Sequence, residues 1–81
     1  MNKFGHILVV DDDDGIRNLV KQLLIQENYI VTTSDCAEDA NNKISNIKFD
    51  LIVLDVMMPG KSGLEFISEN KNKIKTPIIL L

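Results

Sequence analysis

The sequence predicts an α/β protein with an open, doubly wound parallel sheet. Two short, purely apolar runs, residues 7–10 and 51–54, are typical of central strands that helices cover on both faces. Between and after them lie segments whose apolar residues recur at helical spacing. The resulting order is β-α-β-α-β-α-β, and this alternation indicates right-handed crossovers between parallel strands.

The composition allows one globular domain. The chain has 81 residues, of which 44% are hydrophobic and 26% charged, and this balance argues against disordered, collagen-like and coiled-coil classes. A single cysteine, Cys36, excludes an internal disulfide and is typical of a reducing compartment. No apolar run reaches the roughly 18 residues of a membrane span, and the start does not resemble a signal peptide. We therefore expect a cytoplasmic protein without membrane contact.

The charge is mildly acidic and unevenly distributed. The net charge is −3, and it divides into −5 for residues 1–40 and +2 for residues 41–81. The sequence contains no stripe of Lys and Arg residues, which argues against direct nucleic-acid binding by this segment.

The first predicted strand, residues 7–10, leads directly into the acidic run of residues 11–14. Apolar residues then recur at spacings of three and four, which predicts an amphipathic helix. Asp13 or Asp14 is expected to cap it, because a carboxylate accepts hydrogen bonds from free backbone amides. The apolar positions of this helix are Ile16, Leu19, Val20, Leu23 and Leu24.

The second strand is predicted at residues 29–33, which are rich in β-branched side chains. Asp35 and Glu38 then have the spacing of a capping box, with Asp in place of Ser or Thr, so Asp35 is the expected cap of the second helix. Its apolar face is expected to contain Ala37, Ala40, Ile44 and Ile47.

The third strand, residues 51–54, ends in Asp55 and is followed by a capping box of Ser62 and Glu65, which predicts a helix to about Asn70. A fourth strand is predicted at residues 78–81, after a proline that a first strand position tolerates. A domain does not normally end in an apolar strand. We therefore expect a truncated chain, or one part of a longer chain.

Carboxylates follow two of the predicted strands. Asp11 and Asp12 follow the first, and Asp55 follows the third. Ligands of open parallel sheets bind at the carboxyl ends of the strands, and Mg²⁺ prefers a few carboxylates together with water or phosphate. If these strands are neighbours, the three carboxylates converge on a Mg²⁺ site. The alternative, a solvated helix start, explains Asp13 and Asp14 but not the second strand that ends in Asp.

The two acidic motifs together resemble the receiver domain of two-component response regulators. The first is Val-Val-Asp-Asp at residues 9–12, and the second is Leu-Asp-Val-Met-Met-Pro-Gly-Lys-Ser-Gly at residues 54–63. The similarity covers residues 7–81. It implies a flavodoxin-like sheet of order 2-1-3-4-5 and transfer of a phosphoryl group to an Asp from a sensor histidine kinase or a phosphotransfer protein. Such a module assists its own phosphorylation and is not otherwise an enzyme.

The resemblance also implies roles for individual residues. Asp55 matches the phosphoacceptor, and Asp11 and Asp12 match the acidic pair that binds Mg²⁺, with Asp12 the more direct ligand. Met57 matches the position whose backbone carbonyl binds the metal. The residues that match the shaped loop after the acceptor are Pro59, Gly60 and Gly63.

The chain departs from the family pattern at its carboxyl end. Members of the family use a Ser or Thr just after the fourth strand and a Lys at the end of a fifth strand. Neither is present here, and the lysines before the fourth strand do not match them. We therefore expect one receiver domain over residues 1–81, with order 2-1-3-4 and the fifth strand and last helices missing. Its bare fourth strand would favour a homodimer. Many relatives carry a DNA-binding output domain, but no such domain is evident in this sequence.

Two other functions fit part of the sequence. A Mg²⁺-dependent phosphohydrolase of the haloacid-dehalogenase type would use Asp11 as nucleophile with Asp13 two residues later, although Gly15 replaces an expected Thr or Val and a cap insertion has no room. A receiver fold that only docks to partners, without phosphorylation, is the other alternative. Labelling with phosphate would distinguish them, since a label on Asp55 indicates the receiver and one on Asp11 the hydrolase.

Overall fold

The computed structural model describes residues 5–58 and 60–81. Four parallel strands form one sheet in the order β2-β1-β3-β4, as predicted. The seven elements alternate along the chain as the sequence indicated. They are β1 (His6–Val10), α1 (Asp14–Gln26), β2 (Ile30–Ser34), α2 (Ala37–Asn46), β3 (Leu51–Leu54), α3 (Gly63–Asn70) and β4 (Ile78–Leu80).

The two central strands are buried on both faces, which explains their uninterrupted apolar sequence. On one face, Leu8 and Ile52 pack with Phe49 of the preceding segment and Phe66 of α3, and this is the larger core. The smaller core on the other face contains Val9. Phe49 and Phe66 are therefore core residues.

Helix α1 covers only part of its face of the sheet. Val20 and Leu24 pack on the smaller core. Three other apolar residues of the predicted stripe, Ile16, Leu19 and Leu23, are 48%, 59% and 53% exposed. The periodicity thus identified the helix correctly, whereas three of the five apolar residues of its stripe are largely uncovered among the residues that the structure describes.

The helix starts agree with two of the three predicted caps. Asp13 caps α1 through a bond from the Ile16 amide, and Ser62 and Glu65 form the expected capping box of α3. The predicted cap of α2 was wrong. Cys36, with an extended backbone, is the residue before the helix, and its Sγ accepts the Asp39 amide at 3.5 Å. The chain enters α2 one residue later than an Asp35 cap requires.

The ends of several strands differ by one residue from the predictions. β1 begins at His6 because His6 pairs with Ile30, and β4 ends at Leu80. β4 pairs with β3 alone within the described ranges, and its residues Ile79 and Leu80 are exposed. Across these residues, no helix has the length and apolar character needed to cross a membrane.

Candidate functional site

The ladder between β1 and β3 brings the two acidic motifs to one place. Val10 and Leu54 are register partners, and the Asp55 amide donates to the Val10 carbonyl at 2.9 Å. Asp11 and Asp55 therefore leave the sheet side by side. One carboxylate oxygen each from Asp11, Asp12 and Asp55 lies within 4.8 Å of the other two. Asp13 is not part of this cluster.

The three carboxylates differ in their exposure. Asp11 is only 3% exposed, Asp55 is half-buried and Asp12 is exposed. Burial raises the pKa of Asp11, the backbone amide of Asp13 lowers it, and the negative charges of Asp55 and Asp12 raise it further. The net direction is upward, chiefly because the Asp11 carboxyl group is buried.

Backbone amides hold two of the carboxylates in place. The Asp13 amide donates to Asp11 Oδ1 at 2.9 Å, and the Met57 amide donates to Asp55 Oδ1 at 3.1 Å. Arg17 Nη1 donates to the Asp11 carbonyl at 2.8 Å and also pairs with Asp14. The role of Arg17 was not predicted from the sequence. Its position one turn after the acidic run was the available signal.

The segment after Asp55 is shaped by two glycines. Gly60 has a φ of 80°, a left-handed conformation that favours glycine. A Cβ on Gly63 would lie 2.6 Å from the Asp55 carbonyl oxygen, so only glycine allows α3 to begin this close to the end of β3. Pro59, which the sequence also assigned to this loop, lies outside the described residues.

The raised pKa of Asp11 predicts a more stable protein when Asp11 is replaced by Asn. Since the folded pKa lies above the unfolded one, the folded state binds the proton more tightly. This contribution is fully present below the unfolded pKa and is lost as pH rises through the folded pKa. At neutral pH without divalent ions, Asp11→Asn should therefore melt a few degrees higher than the wild type.

Thermal melts from acidic to neutral pH, with a chelator present, measure this effect. The difference between Asp11→Asn and the wild type should grow as pH rises. Asp35→Asn is a suitable control because this exposed residue is not part of the carboxylate cluster. A difference that is constant with pH would mean that the charge of Asp11 costs the folded state nothing.

Comparison with known proteins identifies the fold and the family. A sequence model of the response regulator receiver domain matches residues 7–81. The chain belongs to this family. PetR of Rhodobacter capsulatus is 46% identical to this chain over 76 residues. The alignment covers 94% of this chain and 32% of PetR. The transcriptional regulatory protein ResD of Bacillus subtilis is 43% identical over 75 residues, which cover 93% of this chain and 31% of ResD. The chain thus spans about a third of the length of these relatives.

Solved structures of response regulators and their receiver domains have the same fold as this chain. The response regulator TrrA of Thermotoga maritima, solved in complex with Mg²⁺-BeF, matches with a TM-score of 0.86 and 45% identity, covering 93% of this chain and 66% of TrrA. The N-terminal domain of a response regulator receiver protein from Methanoculleus marisnigri matches with a TM-score of 0.89 and 28% identity. The match covers 95% of this chain and 65% of that domain's chain. The predicted α/β class and strand order are confirmed.

Proposed function

We propose that Asp55 accepts a phosphoryl group from the phosphohistidine of a sensor histidine kinase or phosphotransfer protein, with Mg²⁺ bound beside it. The observation that carries this proposal is the convergence of Asp11, Asp12 and Asp55 at the adjacent carboxyl ends of β1 and β3. Membership of the receiver family supports it. The chemistry requires both a nucleophilic carboxylate and a group that neutralises the charge around it.

The residues present fit a magnesium ion. Carboxylate oxygens are hard ligands of the type that Mg²⁺ prefers, and the exposed side of the cluster leaves room for water and phosphate oxygens. Three carboxylates whose oxygens lie within 4.8 Å of one another repel one another when ionised, and a divalent cation would offset this repulsion. Asp12 would hold the ion most directly, with Asp11, Asp55 and the backbone carbonyl of Met57 as the other ligands. The bound ion would neutralise charge on the transferring phosphoryl group.

The transfer is a displacement at phosphorus. The Met57 amide donates to one oxygen of the Asp55 carboxylate, and the other oxygen would attack phosphorus. A new bond forms between this oxygen and phosphorus, and the bond between phosphorus and the histidine nitrogen breaks. The electron pair stays on the imidazole, which takes up a proton from water. Positioning and charge stabilisation provide the rate, so no general base is needed on this chain.

The phosphorylated domain would act as a switch for a partner or for an output domain. The receiver-matching part of ResD is about a third of a protein named as a transcriptional regulator. We propose that this chain serves the same kind of relay, in which the acyl phosphate at Asp55 changes what the surrounding surface binds. Direct contact with nucleic acid would then belong to another domain.

Magnesium should stabilise the folded protein through the carboxylate cluster. At a concentration about ten times the dissociation constant, binding to the folded state adds about 1.4 kcal/mol to the free energy of unfolding. For a domain of this size, that shift raises the melting temperature by about 5 to 10 °C. Asp12→Ala should lose most of this rise, because it removes the exposed ligand.

The experiment follows melting temperature during Mg²⁺ titration of the wild type, Asp12→Ala and Asp35→Ala. Asp35 is an exposed aspartate outside the cluster and reports non-specific charge effects. The proposal requires that Asp35→Ala behave as the wild type. Equal responses of all three proteins, or no response of the wild type, would contradict the proposal that the carboxylate cluster binds Mg²⁺.

A further inference from the structure

A groove lies at the amino ends of the strands, opposite the carboxyl ends where the three carboxylates lie. It is a groove of about 390 Å³ between residues 44–49, which precede β3, and residues 73–76, which precede β4. Since both segments enter their strands there, this groove opens at the amino edge, whereas Asp55 follows β3 at the carboxyl edge. The two surfaces are therefore separate. Nothing in the proposed phosphorylation uses the amino edge.

The lining of the groove is mixed, and its apolar side chains form a floor that is continuous with the core. Phe49 is 4% exposed, and Ile44 and Ile74 pack against the larger core. Ile47, which directly follows α2, is 36% exposed and adds accessible apolar surface. The floor offers a place where a ligand can bury an aliphatic or aromatic side chain.

The two walls are tied together by hydrogen bonds. Thr76 Oγ1 donates to the Phe49 carbonyl at 3.2 Å, which joins one wall to the other. The Ile74 amide donates to the Asn70 carbonyl at 2.9 Å, which anchors the second wall to the end of α3. A groove built in this way is largely formed before anything binds, so ordering it costs little.

The rim carries positive charge in an otherwise acidic protein. Lys48, Lys73 and Lys75 line the groove and are exposed. Throughout residues 5–58 and 60–81, none of the three has a carboxylate partner within 4.0 Å, whereas Lys43 and Lys61 each form an ion pair. A helix dipole does not account for these lysines, because all three lie beyond the last turn of α2 or α3.

We propose that this groove docks an acidic segment of a partner protein that carries an apolar side chain. The apolar floor selects against a simple inorganic anion, and the concave shape selects against a flat membrane surface. The ammonium groups of the three lysines complement carboxylates placed on either side of the buried side chain. Docking at the amino edge leaves Asp55 accessible, so a partner can stay bound while phosphate is transferred.

The probe is a fluorescein-labelled peptide, Glu-Glu-Leu-Glu-Phe-Glu, titrated with the 81-residue protein at low salt. Two comparison peptides replace either all Glu by Lys or both apolar residues by Ser. We expect saturable binding of the first peptide alone, and weaker binding as salt rises, since exposed ion pairs are screened. Chemical shifts of backbone amides should change at Phe49 and Ile74 but not at Asp55.

Variants separate the groove from charge in general. The double variant Lys73→Glu/Lys75→Glu should lower affinity at least about tenfold, a loss of about 1.4 kcal/mol. The control Lys21→Glu/Lys71→Glu makes the same charge change outside the groove and should bind nearly as the wild type does. Ile47→Ser tests the floor and should also weaken binding. Melting curves verify that each variant is folded.

Three results would overturn the proposal. The first is no saturable binding of the acidic, apolar peptide to the wild type. The second is an equal loss in the groove variant and in its control, which indicates non-specific attraction. The third is self-association of the wild type that the groove variant abolishes in sedimentation experiments, because the groove would then hold a second copy of this chain.

Discussion

Replacing Asp55 by Asn should abolish incorporation of phosphate from a small donor such as acetyl phosphate in the presence of Mg²⁺. Asn has nearly the same shape and still accepts the Met57 amide, which the Asp55 carboxylate accepts at 3.1 Å. It lacks the anionic oxygen that attacks phosphorus, so the loss should be complete rather than partial. Intact-protein mass spectrometry measures the phosphoryl increment, and treatment with hydroxylamine identifies it as an acyl phosphate.

The control for this experiment is Asp35→Asn, an exposed aspartate outside the carboxylate cluster, which should incorporate phosphate as the wild type does. Equal incorporation in Asp55→Asn and the wild type would contradict the assignment. Incorporation that is lost only in Asp11→Asn would favour the phosphohydrolase alternative. The structure gives that alternative little support, because the Asp13 carboxylate caps α1 and accepts the Ile16 amide at 3.0 Å.

Replacing Gly63 by Ala should destabilise the protein and displace the loop beside Asp55. The added Cβ would lie 2.6 Å from the Asp55 carbonyl oxygen and 2.9 Å from Val56 Cα, both of them backbone atoms. Relief requires α3 to move away from β3, which strains the bond from the Gly63 amide to the Val56 carbonyl. Overpacking of this kind costs about 1 to 3 kcal/mol, and urea unfolding measures it.

Gly15→Ala is the matched control for Gly63→Ala. Gly15 lies in the first turn of α1, and a Cβ there would meet only the Asp13 side chain, at 3.3 Å. Alanine is the better helix former by about 1 kcal/mol, so this variant should be unchanged or more stable. If Gly63→Ala were equally stable, the close approach of α3 to β3 would not be a requirement of the fold.

The sequence predicted the elements well because their signals are local. Uninterrupted apolar runs identified β1 and β3, and the Ser62–Glu65 spacing identified the start of α3. The adjacency of β1 and β3 is a long-range property. Periodicity alone left it open, and the resemblance to receiver domains supplied it. The convergence of Asp11 with Asp55 depends entirely on that adjacency.

Other features could not be predicted because they depend on neighbours in space. The Asp35 cap failed since the exact residue at which the chain enters a helix is set by packing, and the Cys36 sulfur is a weak acceptor that sequence rules do not favour. The role of Arg17 depends on the path of the backbone at Asp11. The apolar stripe of α1 gave no sign that Leu19 would remain exposed, because a stripe does not say what covers it.

The pairing of Val10 with Leu54 also determines which changes of chain length the site can tolerate. An insertion in the surface connection between α1 and β2 would lengthen a loop and leave the carboxylates where they are. Deletion of one residue from β3 would instead shift Asp55 by about 3.3 Å and turn the strand's side chains to the opposite face. During divergence, the spacing between the two acidic motifs is therefore free to drift. The number of residues between the middle of each strand and the aspartate that follows it has to stay constant.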